Sequence, residues 1–225
     1  MKSYVQTNII VGLVIGVLLI AGGWYVYNQK STSVIDEREN TATSTDNGGV
    51  DLGGIEVDSD AGGAEDISHI PVPSLDRPIV FKPTVPESIR KETEARIKEL
   101  SASLKEDPNS IAPWIELGLL RKSIDDFPGA REAWEYGAAI RPMDFLAFGN
   151  LGNLYAYYLN DPAKAEKNFL QAIKNDPSQE YLYFQTHEFY RDVLKDDIRA
   201  KNIVKEGIRA NPDSEDLKAL LASIS

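Results

Sequence analysis

The sequence predicts an all-α protein: a stack of helical hairpins, about three repeats with flanking helices, carried behind one membrane-spanning helix. Three observations lead there. A pattern of large and small residues recurs between Pro108, Pro142, Pro177 and Pro212, which stand 34, 35 and 35 residues apart. A period of that length without β-branched runs is the signature of helix pairs stacked on one another. Near the N-terminus, Ile9 to Tyr27 is free of charge. Between the two, residues 31–86 carry 3 Lys/Arg against 11 Asp/Glu, while residues 87–225 carry 19 against 24. The acidity of the chain, −11 in all, is therefore concentrated in a linker. A negative chain without a basic stripe is a poor nucleic-acid binder. No cysteine is present, which excludes disulfides, thiol catalysis and Cys-bearing zinc sites.

Residues 1–8 read as a short N-terminal tail and residues 9–27 as the transmembrane helix. Nineteen helical residues reach roughly 28 Å, about one hydrocarbon thickness. Eleven of them are Leu, Ile or Val, and Trp24, Tyr25 and Tyr27 close the segment as an interfacial aromatic belt would. The rival is a cleaved signal peptide, with Ala21 and Gly23 placed for cutting before Trp24. A single Lys2 ahead of the run, and apolar residues continuing past that point, favour a retained anchor. A short tail ahead of one helix and a large domain places the domain outside the cytoplasm, in a single-pass membrane protein. Gly12 and Gly16 form a G-x-x-x-G pair, which offers a weak homodimer seam; ordinary lipid-facing glycine is the simpler account.

Residues 28–85 form the linker. Up to residue 70 it is rich in Ser, Thr, Gly, Asp and Glu. It offers little to bury against its ordering entropy, so disorder is expected. Residues 71–86 then interleave Pro71, Pro73, Pro78, Pro83 and Pro86 with Leu75, Ile79, Val80 and Phe81. Prolines favour extended chain and a stiff spacer. Ile79, Val80 and Phe81 also have reason to dock on the domain, because large apolar side chains are costly to leave in water.

The helical domain is expected over residues 86–225. Thr84-x-x-Glu87 reads as a capping box, and Ile89, Ile97, Leu100 and Leu104 make one apolar stripe behind it. That helix is the second half of a unit whose first helix is missing. Three hairpins follow, near 110–140, 144–174 and 178–210, with turn signals at Asp126–Gly129, Asn160–Pro162 and Lys195–Asp197. A proline separates successive units, since it cannot continue a helix. A last helix near 213–224, capped by Asp213 or Ser214, closes the array. Two helices in a hairpin approach to roughly 8–10 Å, so small residues are needed where they cross. Gly118, Gly152, Ala130, Ala165, Ala200, Gly137, Ala172 and Gly207 supply them, beside Trp114, Trp134, Phe148, Tyr155, Phe169, Tyr183 and Tyr190.

Trp114-x-x-Leu117-Gly118, Phe148-x-x-Leu151-Gly152-x-x-Tyr155, and the pairs Ala130/Trp134, Ala165/Phe169 and Ala200/Val204, each with its closing proline, resemble the tetratricopeptide repeat. The third unit departs from it, with Thr186 and His187 where Leu and Gly would stand; looser packing or a shifted helix is expected there. The resemblance implies a right-handed superhelix whose concave groove, lined by the first helices, binds proteins or peptides. On this sequence those groove positions are Ile115, Leu119 and Lys122, then Leu146, Asn150, Asn153 and Tyr157, then Tyr181, Phe184, Glu188 and Arg191. Some members of that family clamp a C-terminal carboxylate with Lys, Asn and Arg. Only Asn150 fits, Ile115, Leu119, Tyr181 and Gln185 occupying the other positions, so carboxylate capture is rejected. The groove suits an extended apolar or proline-containing peptide.

Enzymatic readings fare poorly. His187-Glu188 lacks the second His of a zinc helix, and a lone His at a helix crossing is a packing residue. His69 stands in the linker. There is no glycine-rich phosphate loop, and two histidines so placed build no Ser/His/Asp set. Asp125–Asp126 and Asp196–Asp197 are turn charges before they are acid–base pairs. The expectation is a non-enzymatic, cofactor-free and metal-free scaffold at the outer face of a bacterial-type inner membrane, in envelope assembly or the handling of exported proteins. The alternative is a structural protein whose groove holds its own Pro-rich linker and which self-associates through its membrane helix.

Overall fold

The structure is a computed structural model and describes residues 71–224. The predicted span 9–27, Gly12, Gly16 and the acidic part of the linker lie outside the described residues. Among the described residues no helix is long and apolar enough to cross a membrane. These residues are all-helical, with eight α-helices, one π turn and no strand: α1 (Glu87–Glu106), α2 (Ile111–Ser123), α3 (Phe127–Ile140), α4 (Phe145–Tyr157), α5 (Pro162–Asn175), α6 (Glu180–Glu188), α7 (Asp197–Ala210) and α8 (Glu215–Ser223). The π turn, Phe189–Val193, continues α6. Each helix packs chiefly on its neighbours in sequence, most extensively within the α2–α3 and α4–α5 hairpins.

The turns repeat at the residue level. In the middle of each hairpin one residue is left-handed: Asp125 (φ 63°), Asn160 (φ 52°) and Lys195 (φ 54°), each 35 residues from the next. An Asp follows each time and caps the second helix. Asp126 accepts from the Gly129 N–H, Asp161 from Lys164 and Asp196 from Arg199, at 2.9–3.1 Å. These bonds satisfy donors that a helix start leaves orphaned. Between units the closing proline is the second residue of a β-turn, with Asp144 N–H donating to the Arg141 carbonyl, Gln179 to Asp176 and Ser214 to Asn211. Of the two residues expected to cap the last helix, Ser214 does so, through Leu217 N–H. The expected capping box on α1 does not form. Pro86 is the N-cap without a side-chain bond. Arg90 reaches back instead, donating to the Val85 and Pro83 carbonyls at 2.7 Å each.

The core follows the alternation of large and small residues. Trp114, Trp134, Phe169 and Tyr183 are fully enclosed. A Cβ on Gly118 would overlap the Trp134 indole, and one on Gly152 would lie 2.6 Å from the Phe169 ring. The indole of Trp114 donates to the Pro108 carbonyl (2.8 Å) and the hydroxyl of Tyr183 to that of Pro177 (3.1 Å). An aromatic with a polar tip thus ties each helix to the turn before it. Phe148, at the same place in the middle unit, has no donor and is only half-buried. Asn175 bonds the Pro142 carbonyl in its stead.

The third hairpin fills the crossing by a swap. Where the first two pair Gly with Trp or Phe, it pairs His187 with Val204. His187 is 2 % exposed and Val204 fully buried. Thr186, in the Leu position, hides its hydroxyl by donating to the Leu182 carbonyl at 2.7 Å. The crossing is filled, though the two helices meet less extensively than those of the first two hairpins. The departure also appears as the π turn that ends the first helix of this hairpin.

Candidate protein-binding site

The sequence places the binding residues on the first helix of each hairpin, here α2, α4 and α6. The last two run side by side in the same direction. The Phe145 and Tyr181 rings meet near their starts, centroids 6.4 Å apart. A Cβ on Gly149 would lie 3.1 Å from Leu182 midway. At their ends Tyr157 stands close enough to Glu188, Asp192 and Arg191 to feel their charge. Lys122, at the end of α2, donates to Asn153 Oδ1 on α4 at 2.6 Å.

These contacts sort the eleven predicted positions. Ile115 is buried in the main core and offers nothing to a partner. Leu119, Leu146 and Phe184 are half-buried and lean on that core. Asn150 and Asn153 are half-buried, and Glu188 and Arg191 exposed. Tyr157 and Tyr181 remain 42 % and 40 % exposed. Tyr158, absent from the predicted set, is 44 % exposed and belongs to the same face. Its ring packs on Phe127 (centroids 4.8 Å) and lies beneath the Lys122 ammonium at 4.7 Å. The resulting face alternates aromatic surface with amide and charged groups.

Its electrostatics are set by burial. Lys122 is held by an amide oxygen and a ring face, and desolvation pulls its pKa below the ordinary lysine value. Burial, then Glu188 and Asp192, raises the pKa of the Tyr157 hydroxyl. Arg191 forks onto Asp192 through Nε and Nη2 at 2.8 and 2.7 Å. Its Nη1 stands 3.4 Å from His187 Nε2, and His187 Nδ1 lies 3.0 Å from the Ala200 carbonyl. That arrangement places the ring proton on Nδ1, donated to Ala200, and leaves Nε2 as an acceptor. His187 is thus a wall between α6 and α7.

A second constellation lies where the sequence marked only a spacer. Residues 71–82 run across the α1–α3 end, without regular structure except for a turn at Leu75–Asp76, and Leu75, Ile79 and Phe81 pack on a core cluster that includes Ile97, Leu104 and Trp114. Of the three residues expected to dock, Ile79 and Phe81 do, while Val80 is 71 % exposed. Arg121, buried on α2, donates to the Pro78 carbonyl (2.7 Å) and the Arg77 carbonyl (2.9 Å). Arg77 in turn bonds Asp126 through Nε at 2.7 Å and Glu132 through Nη1 at 3.2 Å. Burial lowers the Arg121 pKa, against the pull of Asp126. A signal for this was present in the sequence. Arg121 occupies the place where Tyr155 and Tyr190 recur 35 residues apart. Those hydroxyls reach back to the preceding unit, Tyr155 to Glu135 (2.6 Å) and Tyr190 to Glu166 (2.9 Å). Among the described residues only α1 stands before the hairpin of Arg121, and Arg121 reaches residues 77 and 78 of the segment instead.

No protein-family model matches the chain, and no curated protein matches it.

Proposed function

We propose that this protein is a non-enzymatic scaffold: a right-handed tetratricopeptide-type solenoid, held to a membrane by residues 9–27, that receives an extended segment of a partner protein on the α2–α4–α6 face. The domain lies on the extracytoplasmic side, and the acidic linker sets its distance from the bilayer. The observation that carries the reading is the exposure of Tyr157 and Tyr181 on α4 and α6, and of Tyr158 just past the end of α4. Tyrosine gives contact area at little entropic expense and keeps a polar tip for the partner backbone, which is why it is enriched at interfaces. Lys122, half-desolvated and held among the described residues by Asn153 and a ring, adds a cation ready for a carbonyl or carboxylate.

The test is a photo-crosslinker placed at Tyr157 or Tyr181 in membranes carrying the full chain. A defined heterologous product from both positions supports the scaffold; products containing this chain alone refute it. The alternative, a structural protein filled by its own linker, draws support from the docking of Leu75, Ile79 and Phe81. Their polar anchors, however, are Arg121, Asp126 and Glu132, none of them in the tyrosine face. Deleting residues 71–83 separates the two readings. The scaffold keeps its crosslinks at Tyr157, whereas a self-filled groove acquires new ones.

A further inference from the structure

The α1–α3 end treats residues 75–82 differently from its own helices. No side chain of residues 71–86 is fully buried, whereas every helix they touch contributes fully enclosed residues. Beside the segment, between Leu75, Ile79, Ile97 and Ser101, lies a solvent-open cleft of about 440 Å³, so the segment covers this end without closing it as a packed core would. The Ser101 hydroxyl on its floor is buried and has no hydrogen-bond partner. The contacts that do form have the character of ligand recognition. Arg121 grips two successive main-chain carbonyls, which fixes the path of an extended chain whatever its side chains. Asp126 and Glu132 select an arginine. Lys82 with Asp125 and Lys105 with Asp76 add an ion pair at either end. Pro78 needs no partner for a backbone donor and holds its segment extended. Chain preceding the segment is long enough to let it leave, since 70 residues stand before the described part.

We infer that the α1–α3 end is a second polypeptide-binding site, selective for an extended segment with an acidic-Arg-Pro core between apolar residues, and that the chain's own residues 75–82 are its resident, exchangeable occupant. It is separate from the tyrosine face and does not depend on what that face binds. A partner segment of the same chemistry competes for Arg121, Asp126 and Glu132. Once displaced, the strap adds its length to the linker.

The absence of native cysteine permits a direct test on the full chain in detergent micelles. Val80→Cys and Ala95→Cys carry a spin-label pair, on an exposed strap residue and an exposed residue of α1, and electron–electron distance measurements report docking. The docked strap gives one short, narrow distance. Arg77→Ala, or Asp126→Asn, which keeps the α3 cap, is expected to raise the released-to-docked ratio about tenfold, with helical circular dichroism unchanged. A free peptide of residues 71–83 in excess is expected to shift wild type to long distances, and the same peptide with Arg77→Ala is not. If the free peptide leaves the distance distribution unmoved, or if Arg77→Ala unfolds the helices, the strap is fixed structure and the inference fails.

Discussion

Gly118→Ala tests the packing logic at its tightest point. The added Cβ would sit 2.5 Å from Cε2 and 2.6 Å from Cδ1 of Trp134, where carbon atoms prefer about 3.5–4.0 Å. The indole has nowhere to retreat: it is fully buried, and its Nε1–H donates to the Ile115 carbonyl at 3.1 Å. Relieving the overlap requires a shift of about 1 Å that also stretches this bond. Overpacking costs about 1–3 kcal/mol and a compromised buried hydrogen bond about 1–3 kcal/mol. The better helix preference of Ala returns about 1 kcal/mol. The expected net loss is about 3 kcal/mol, or a Tm lower by about 6–12 °C. The control is Gly137→Ala, whose Cβ would be tight only against the Cδ1 methyl of half-buried Ile111, at 3.1 Å, with Trp114 Cβ and Ala147 Cβ at the ordinary contact distances of 3.7 and 3.9 Å. One rotamer change relieves that contact, so this variant is expected to be neutral or up to about 1 kcal/mol more stable. Urea unfolding followed by tryptophan fluorescence, with an unchanged m-value, reads both. Equal stability of Gly118→Ala and wild type, or an equal loss in both variants, would refute the assignment of Gly118 and Trp134 to a contact that admits no side chain.

Three further outcomes are expected. Burial holds the Asp144 carboxyl above its ordinary pKa of 3.8, against hydrogen bonds from the Ala147 and Leu146 N–H groups. A raised folded pKa contributes stability below the unfolded value and loses it as pH rises through the folded value. Asp144→Asn, which keeps the cap, should therefore melt above wild type at pH 7, the gap closing as pH falls toward 3.8. Lys122 has its pKa depressed by desolvation, so its charged form burdens the fold until pH rises through the folded value. Lys122→Met should raise Tm at pH 7, lose that advantage above about pH 10, and weaken crosslinking at Tyr157. Lys195 holds a left-handed backbone at φ 54°; Lys195→Gly should gain about 0.5–1 kcal/mol in urea unfolding, since that conformation costs a side-chain residue about 1–2 kcal/mol and glycine's extra chain entropy returns less.

Most of the helical layout was legible because each boundary carries local chemistry. Asp126, Asp161 and Asp196 are caps that work within three residues, and each closing proline defines its own turn. The all-helical class and the three hairpin boundaries follow from such near-neighbour effects. What was illegible depends on partners distant in sequence. Nothing within ten residues of Arg77 announces Asp126, 49 positions on. Thr84 and Glu87 satisfy a capping pattern, yet Arg90 claims the neighbouring carbonyls and Pro86 takes the cap. Ile115 has the spacing of a groove residue but falls on the buried side of α2, inside the main core cluster with Trp134. Tyr158 was passed over beside Tyr157, although helix periodicity alone does not place the residue after a helix end.

The two ends of the array solve one problem by different chemistry. Each unit leans on the one before it through a tyrosine hydroxyl, Tyr155 to Glu135 and Tyr190 to Glu166. The first hairpin has no complete unit before it. A tyrosine at position 121 would have only α1 of an incomplete unit before it, and a hydroxyl left buried there without a partner would cost about 1–3 kcal/mol. Arginine is longer, carries several donors, and reaches two carbonyls of an extended segment. The third hairpin needs no such reach but must bring two aromatic neighbours, Phe189 and Tyr190, to the α5 side: Phe189 meets Phe169 at 5.5 Å between centroids while Tyr190 bonds Glu166. Adjacent helical residues point about 100° apart, and the π turn that begins at Phe189, with more residues per turn, narrows that angle and brings the two rings toward one side. His187 then fills the space that Gly leaves to a Trp or Phe in the other hairpins. The breaks in the repeat are thus the places where a unit meets something other than a copy of itself, and they are where binding at either end of the array should be sought.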